Sequence, residues 1–180
     1  AARGIEAGQI RLVAMIETAS AYLRAEEIAG VDDRIAALVL GGEDIALDLG
    51  MVPDADTLAM PKQHLAIVAR AAGLVPFGIM GTIADYNDLD AVRSVAERSH
   101  RFGFEGAACI HPSVVPVLNA AFQPSDAEVA HARRVVAAYA QAELAGTGAI
   151  TVDDKMIDVP VVRRAENLLA RYGAIQRRGD

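Results

Sequence analysis

Two acids in this 180-residue chain stand where chemistry is to be expected. The apolar run LVAMIE stops at Glu17, and ALVLGGED stops at Asp44. An acid at the end of each of two consecutive buried strands is costly unless something compensates it. A hard cation such as Mg²⁺ with an oxygen-rich substrate does so, because Mg²⁺ keeps waters and takes one or two carboxylates. Each acid can instead cap the N-terminus of a following helix, where the dipole favours negative charge. Position alone leaves both readings open. Glu43 comes one residue before Asp44 and, on extended backbone, is expected to point to the other side. Gly41 and Gly42 either let backbone N–H groups approach a substrate carboxylate or simply turn the chain out of its strand.

Further along, Gly81 and Thr82 close a third apolar run and are candidates for substrate contact. Asp85, Asn87 and Asp88 in ADYND read as helix-capping residues, and His111 in IHP as a structural hydrogen-bonding group. Cys109 lies in the apolar stretch AACIHP and reads as a small buried hydrophobe. No H-x-x-x-H or C-x-x-C spacing exists, which argues against zinc.

The elements that must position these residues repeat a strand–helix rhythm. Strands are expected at 10–16, 35–40, 75–80 and 106–110, with helices at 20–29, 61–72 and 89–102. A long excursion, GMVPDADTLAM, follows the second strand, and Pro61 suits a first helical turn. Strands apolar throughout and separated by helices imply a parallel sheet covered on both faces. There is no G-x-G-x-x-G and no G-x-x-x-x-G-K-[ST], so a phosphate-cradling loop is not indicated. Acids at the carboxyl ends of strands suit a (β/α)₈ barrel. The strand–helix units account for half of one, and a complete barrel takes about 250 residues. After the fourth strand the pattern changes. A short helix at 114–121 precedes a longer one opened by Ser125 with Glu128 three residues on, a capping box running to about Ala145. A loop or hairpin and a last helix at 161–172 follow.

Composition narrows the classes. Hydrophobic residues are 53% of the chain, aromatics only 4%, and Trp is absent, so the core is built from Ala, Val, Leu and Ile. A net charge of −7 without a basic stripe argues against a nucleic-acid partner. No apolar run approaches the ~18 residues of a membrane span. A single cysteine suits a reducing, cytoplasmic location. The opening AARGIEAGQI is too polar for a signal peptide and reads as the tail of a helix plus a loop, as in the middle of a longer chain.

In order, VAMIETASAYLRAEEIA, LVLGGEDIALDLG, GFEGAACIHPSVVPVLNAAFQPSDAEV and GAITVDDKMIDVPVV resemble the citrate lyase β-subunit-like CoA-ester lyases of the HpcH/HpaI aldolase superfamily, over about Gln9 to Ala170. The resemblance implies a TIM barrel of the phosphoenolpyruvate/pyruvate type, of which 1–122 is the second half and 123–180 a C-terminal helical lid. It implies Mg²⁺ as cofactor with Glu17 and Asp44 as its ligands. It also makes Asp158, in MIDVP, a general acid/base on a segment that covers a neighbouring subunit's site. Without the family, Asp158 is a turn residue. Gly41, Gly42, Glu43, Gly81 and Thr82 are the expected substrate-contacting residues. The implied activity is cleavage or formation of a 3-hydroxyacyl-CoA acid, such as malyl-, citramalyl- or citryl-CoA, from acyl-CoA and a 2-oxoacid. The alternatives are a malyl-CoA thioesterase or malate synthase-like enzyme, or an inactive fragment or paralogue needing a partner chain. A homo-oligomer, a trimer or hexamer, is implied as well. The family's early substrate-binding Arg and its Lys motif are not in this chain, so the polypeptide alone is expected to be inactive. Ala107-Ala108 stands where many members have Gly-Lys.

Overall fold

In the computed structural model, which describes residues 4–6, 8–81, 86–146 and 150–179, the apolar runs pair as parallel strands. β1 (Leu12–Ile16) lies beside β2 (Ile35–Leu40), and β2 beside β3 (Val75–Pro76), in the order β1-β2-β3. Between β1 and β2 run two short helices, α1 (Ala19–Tyr22) and α2 (Ala25–Ala29). The sequence suggests one helix here, but Arg24 N–H bonds the Ala21 carbonyl at 3.1 Å, a tight three-residue turn that interrupts it. After β2 come α3 (Gly42–Leu49) and α4 (Ala59–Ala71). These helices bury Ile45, Leu58, Leu65 and Val68 against Ile16, Leu38 and Leu40. The other face of β1 is not covered by the described residues: Val13 and Met15 remain 53% and 54% exposed. The expected two-sided cover is therefore one-sided at β1.

The third strand is shorter than expected, for a local reason. Pro76 has no N–H to give to a ladder, and Gly78, at φ +142°, leaves the extended region. Pairing continues through isolated bonds: Phe77 N–H to the Leu38 carbonyl at 3.0 Å, Glu105 N–H to the Pro76 carbonyl at 3.0 Å and Gly78 N–H to the Gly106 carbonyl at 2.8 Å. The expected fourth strand is reduced to one parallel bridge, Phe77 with Gly106. Its residues Gly106, Ala107 and Ala108 have little side chain to pack and low strand propensity. α5 (Leu89–Arg101) holds this region from outside. Asp88 caps it, its Oδ1 accepting from Ala91 N–H at 2.9 Å. From its last turns the buried Ser99 hydroxyl accepts the Met80 N–H at 2.8 Å and donates to the Val95 carbonyl at 2.6 Å. A short 3₁₀ turn at Pro112–Val114 leads into α6 (Val115–Phe122). Met80, Phe104, Val114, Leu118 and Phe122 form the second core there.

The chain divides into two compact units, Ala1–Phe122 and Gln123–Asp180. In the second, α7 (Asp126–Ala145) opens with the capping box of Ser125 and Glu128. A hairpin of β4 (Ile150–Val152) and β5 (Lys155–Ile157) precedes α8 (Val159–Gly179), which starts two residues before the sequence suggests. Asp153 and Asp154 turn the hairpin at φ 50° and 59°, a left-handed pair that Asp tolerates. His131 Nδ1 and Arg134 Nη2 of α7 hold the Asp153 carboxylate at 2.9 and 2.8 Å. Those contacts, Arg134 foremost, keep its pKa below the ordinary value. Val135, Ile157, Val162 and Ala165 make this unit's core. No helix among the described residues is long and apolar enough to cross a membrane.

Ser99→Ala removes the partner of a buried N–H without changing fold volume much. Urea unfolding is expected to show a loss of about 1–3 kcal/mol with an unchanged m-value. An unaltered midpoint would show that water satisfies Met80.

Candidate functional site

Parallel strands bring their carboxyl ends to one edge, and there the end of β1, at Glu17, lies beside the end of β2, at Gly41. The ladder pairs Ile16 with Leu40, and one bond further the Gly41 N–H donates to the Ile16 carbonyl at 2.9 Å. Glu17 and Gly41 are thereby neighbours. A Cβ on Gly41 would stand 2.5 Å from Glu17 Cγ and 2.9 Å from its Oε1. Only glycine leaves room for the half-buried Glu17 side chain to lie across the chain at that point.

Gly41 is the N-cap of α3, and Gly42 its first residue, so Glu43 and Asp44 occupy the first helical turn. This corrects the expectation of extended backbone at Glu43. The two acids diverge by about 100° around a helix, not 180°. Both are exposed, and no side chain hydrogen-bonds the helix start. Asp44, with Glu43, does meet the positive end of the α3 dipole, whereas Glu17 does not cap α1, whose N-cap is Thr18. Among the described residues no hydrogen bond engages the carboxylates of Glu17, Glu43 or Asp44. The described residues also contain no group of three or more His, Cys, Asp or Glu placed to hold a metal ion. What is present fits a hard, water-keeping ion: free carboxylate oxygens on two adjacent turns, one seated in a cradle that a Cβ would fill.

Beside α3 lies a cavity of about 570 Å³, walled by Met15, Val39, Leu40, Phe77, Ile79 and Phe104 among others. Gly42, Glu43 and Gly81 line it, whereas Glu17, Gly41 and Asp44 do not. The residue that the sequence does not announce is Lys62. It is 6% exposed and lines the same cavity. Its Nζ donates to the Gly81 carbonyl at 2.6 Å and stands 3.6 Å from where a Cβ of Gly42 would be. Desolvation pushes its pKa down to about 8, partly offset by the Glu43 carboxylate. A lysine in the first turns of an amphipathic helix reads as solvated in sequence; only the tertiary burial singles it out.

The remaining candidates separate. Thr82 and Asp85 lie outside the described residues. Cys109 is a free, half-buried thiol on the cavity wall. His111 has a structural role: its Nδ1 accepts the Ser113 N–H at 3.2 Å, and its ring stacks on Tyr86 at 4.6 Å. Asp158 belongs to the second compact unit, exposed, immediately before α8. Its Oδ1 accepts the Val161 N–H at 3.2 Å, so it caps the last helix.

Residues 1–112 match the HpcH/HpaI aldolase/citrate lyase family model. The chain belongs to that family. It is 31% identical over 168 residues to citrate lyase subunit beta of Leuconostoc mesenteroides subsp. cremoris, covering 92% of this chain and 55% of that one. It is 36% identical over 166 residues to the (3S)-malyl-CoA thioesterase of Cereibacter sphaeroides, covering 91% and 57%. The fold is similar to that of CitE from Mycobacterium tuberculosis, solved in complex with magnesium, acetoacetate and coenzyme A. That likeness has a TM-score of 0.75 at 30% identity, over 91% of this chain and 61% of that one. The chain spans about half the length of the curated relatives it matches.

Lys62 gives the fold a pH signature. Its pKa is about 8 when folded against an ordinary 10.5, so between those values the unfolded chain binds the extra proton. Stability attributable to Lys62 must rise as pH climbs through that window. The unfolding free energy of the wild type minus that of Lys62→Met is expected to shift towards the wild type from pH 8 to pH 10. Denaturant titrations at both pH values check it, and a flat difference would mean that Lys62 is solvated.

Proposed function

We infer that this chain carries the metal-holding part of a Mg²⁺-dependent carbon–carbon lyase. Its substrate is a CoA thioester of a 3-hydroxy acid, such as malyl-, citramalyl- or citryl-CoA. The products are an acyl-CoA and a 2-oxoacid, or the reverse. The observation that carries this reading is the Glu17 carboxylate seated over Gly41, beside the helical turn that bears Asp44. The family membership, and the magnesium, acetoacetate and coenzyme A in the similar CitE structure, support it.

Glu17 and Asp44 are the residues that would hold the ion. When bound, Mg²⁺ supplies Lewis-acid polarisation of the oxygen that becomes a carbonyl. The chain's own groups do the rest. The free N–H groups at the start of α3 orient a substrate carboxylate near Gly42. The apolar wall of the cavity keeps water from the carbon that must receive a proton. Asp158 is assigned the proton transfer: as carboxylate it takes a proton from the hydroxyl, and as acid it returns one to the acyl carbon. Its Oδ1 is engaged by Val161, and its Oδ2 has no partner among the described residues.

The parallel strands and the share of the relatives' length that is spanned support reading 1–122 as the second half of a (β/α)₈ barrel. On this reading 123–180 is a lid for a neighbouring subunit's site. Val13 and Met15 are then covered in an assembly with a first half-barrel or with further copies, and turnover is assigned to that assembly. A second reading, hydrolysis of the same thioester, is favoured by the 36% identity to a (3S)-malyl-CoA thioesterase. Product analysis separates the two: free CoA against acyl-CoA with a 2-oxoacid.

Calorimetric Mg²⁺ titration is expected to show affinity falling about tenfold or more in Glu17→Gln and in Asp44→Asn. Unchanged affinity in both would sink the metal assignment. Asp158→Asn retains a good helix cap and is expected to lose about a hundredfold or more in turnover with no change in thermal midpoint. Full activity in that variant would remove Asp158 from the chemistry.

A further inference from the structure

We propose that Lys62 is the anion-holding group of the apolar cavity, binding the carboxylate of a small organic acid whose hydrocarbon part lies along the cavity wall. This assignment rests on the cavity being the substrate site proposed above, and it names a residue of that site that lies outside the motifs quoted for it.

Three observations converge on it. First, Lys62 is a buried lysine, 6% exposed, and a buried ammonium is an expensive group that persists where a charge partner arrives. Of the three donors on Nζ, one has a partner among the described residues, the Gly81 carbonyl. Glu43 attracts the ammonium but forms no ion pair with it among the described residues, and being exposed it is screened by water. Second, the ammonium stands at the start of α3 and projects from the first turns of α4, near the positive ends of two helix dipoles. A cation there is disfavoured by the helices, and an anion meeting all three positive features is favoured. Third, Glu43, Lys62 and Cys109 are the only ionisable side chains among the described residues that line the cavity, and these walls are otherwise hydrocarbon or backbone. A short carboxylic acid matches that division: one charged end against Nζ and an apolar body against Phe77, Ile79 and Phe104.

The bland alternative is that Lys62 only braces Gly81 and balances Glu43. Binding of 2-oxobutyrate and of its uncharged methyl ester to the full chain, in magnesium-free buffer with chelator, tells them apart. The wild type is expected to prefer the acid by about tenfold or more, the scale of a hydrogen bond to a charged group. Lys62→Met and Lys62→Gln are expected to abolish that preference while leaving the ester's affinity unchanged; Gln can still donate to the Gly81 carbonyl. If either folded variant retained the preference for the acid, the proposal would be wrong. Should neither variant fold, the wild type decides: equal binding of acid and ester, or no binding of either, overturns it. Mg²⁺ affinity in the Lys62 variants is expected to be no weaker than in the wild type. A failed metal assignment, read from Glu17→Gln and Asp44→Asn, is thus distinguishable from a failed Lys62.

Discussion

The parallel pairing of β1 with β2, carried one bond past the strands by Gly41 N–H on the Ile16 carbonyl, is the constraint on which the candidate site depends. It fixes where Glu17 leaves its strand relative to where α3 begins. Burial holds it in place: Ile16, Leu38 and Leu40 are each under 10% exposed and pack on Ile45 and Leu58. Burying side chains of this size is worth about 1.5–3 kcal/mol each before chain entropy is counted. A one-residue slip between the strands would turn that face outwards and separate Glu17 from Gly41. The glycine cradle therefore has meaning only because the register is fixed by the core beneath it.

How far the sequence was legible follows from which forces are local. β2 was readable because six consecutive apolar residues signal a strand without help. The capping box at Ser125 and Glu128 was readable because both partners lie within one turn. α3 was not, because Gly41-Gly42 resembles a turn, although GEDIALDL carries the apolar spacing of a helix. β3 and the fourth strand are shorter than their apolar runs suggest because apolar content does not reveal a lost donor at Pro76 or the left-handed φ at Gly78. The family motifs pointed to Glu17 and Asp44, yet nothing in them pointed to Lys62. Its burial arises from α4 packing beside Gly81, a contact across nineteen residues of sequence.

The second unit shows how a local turn can aim a residue. His131 and Arg134 pin Asp153, which fixes the hairpin, and β5 then alternates faces. Ile157 points into the unit's core, 6% exposed, so Asp158 must point out. Capping and proton transfer are compatible in Asp158 because a cap needs one oxygen. They differ in chemistry: the cap survives with an amide, and proton transfer does not.

Charge near the start of α3 explains why a buried lysine belongs there. Glu17, Glu43 and Asp44 are three carboxylates and Lys62 one ammonium, which leaves a formal −2 on two adjacent strand-end turns. A divalent cation cancels that, where three carboxylates alone would overcompensate a monoanion-binding metal site and repel an incoming acid. With Lys62 in place, the site can take Mg²⁺ and still accept a carboxylate from the apolar side. Burial disfavours the charged form of the lysine, and its position gives the cavity a sign that the hydrocarbon wall lacks. A group whose charged form is costly to bury but completes a charge balance is the expected mark of function rather than architecture.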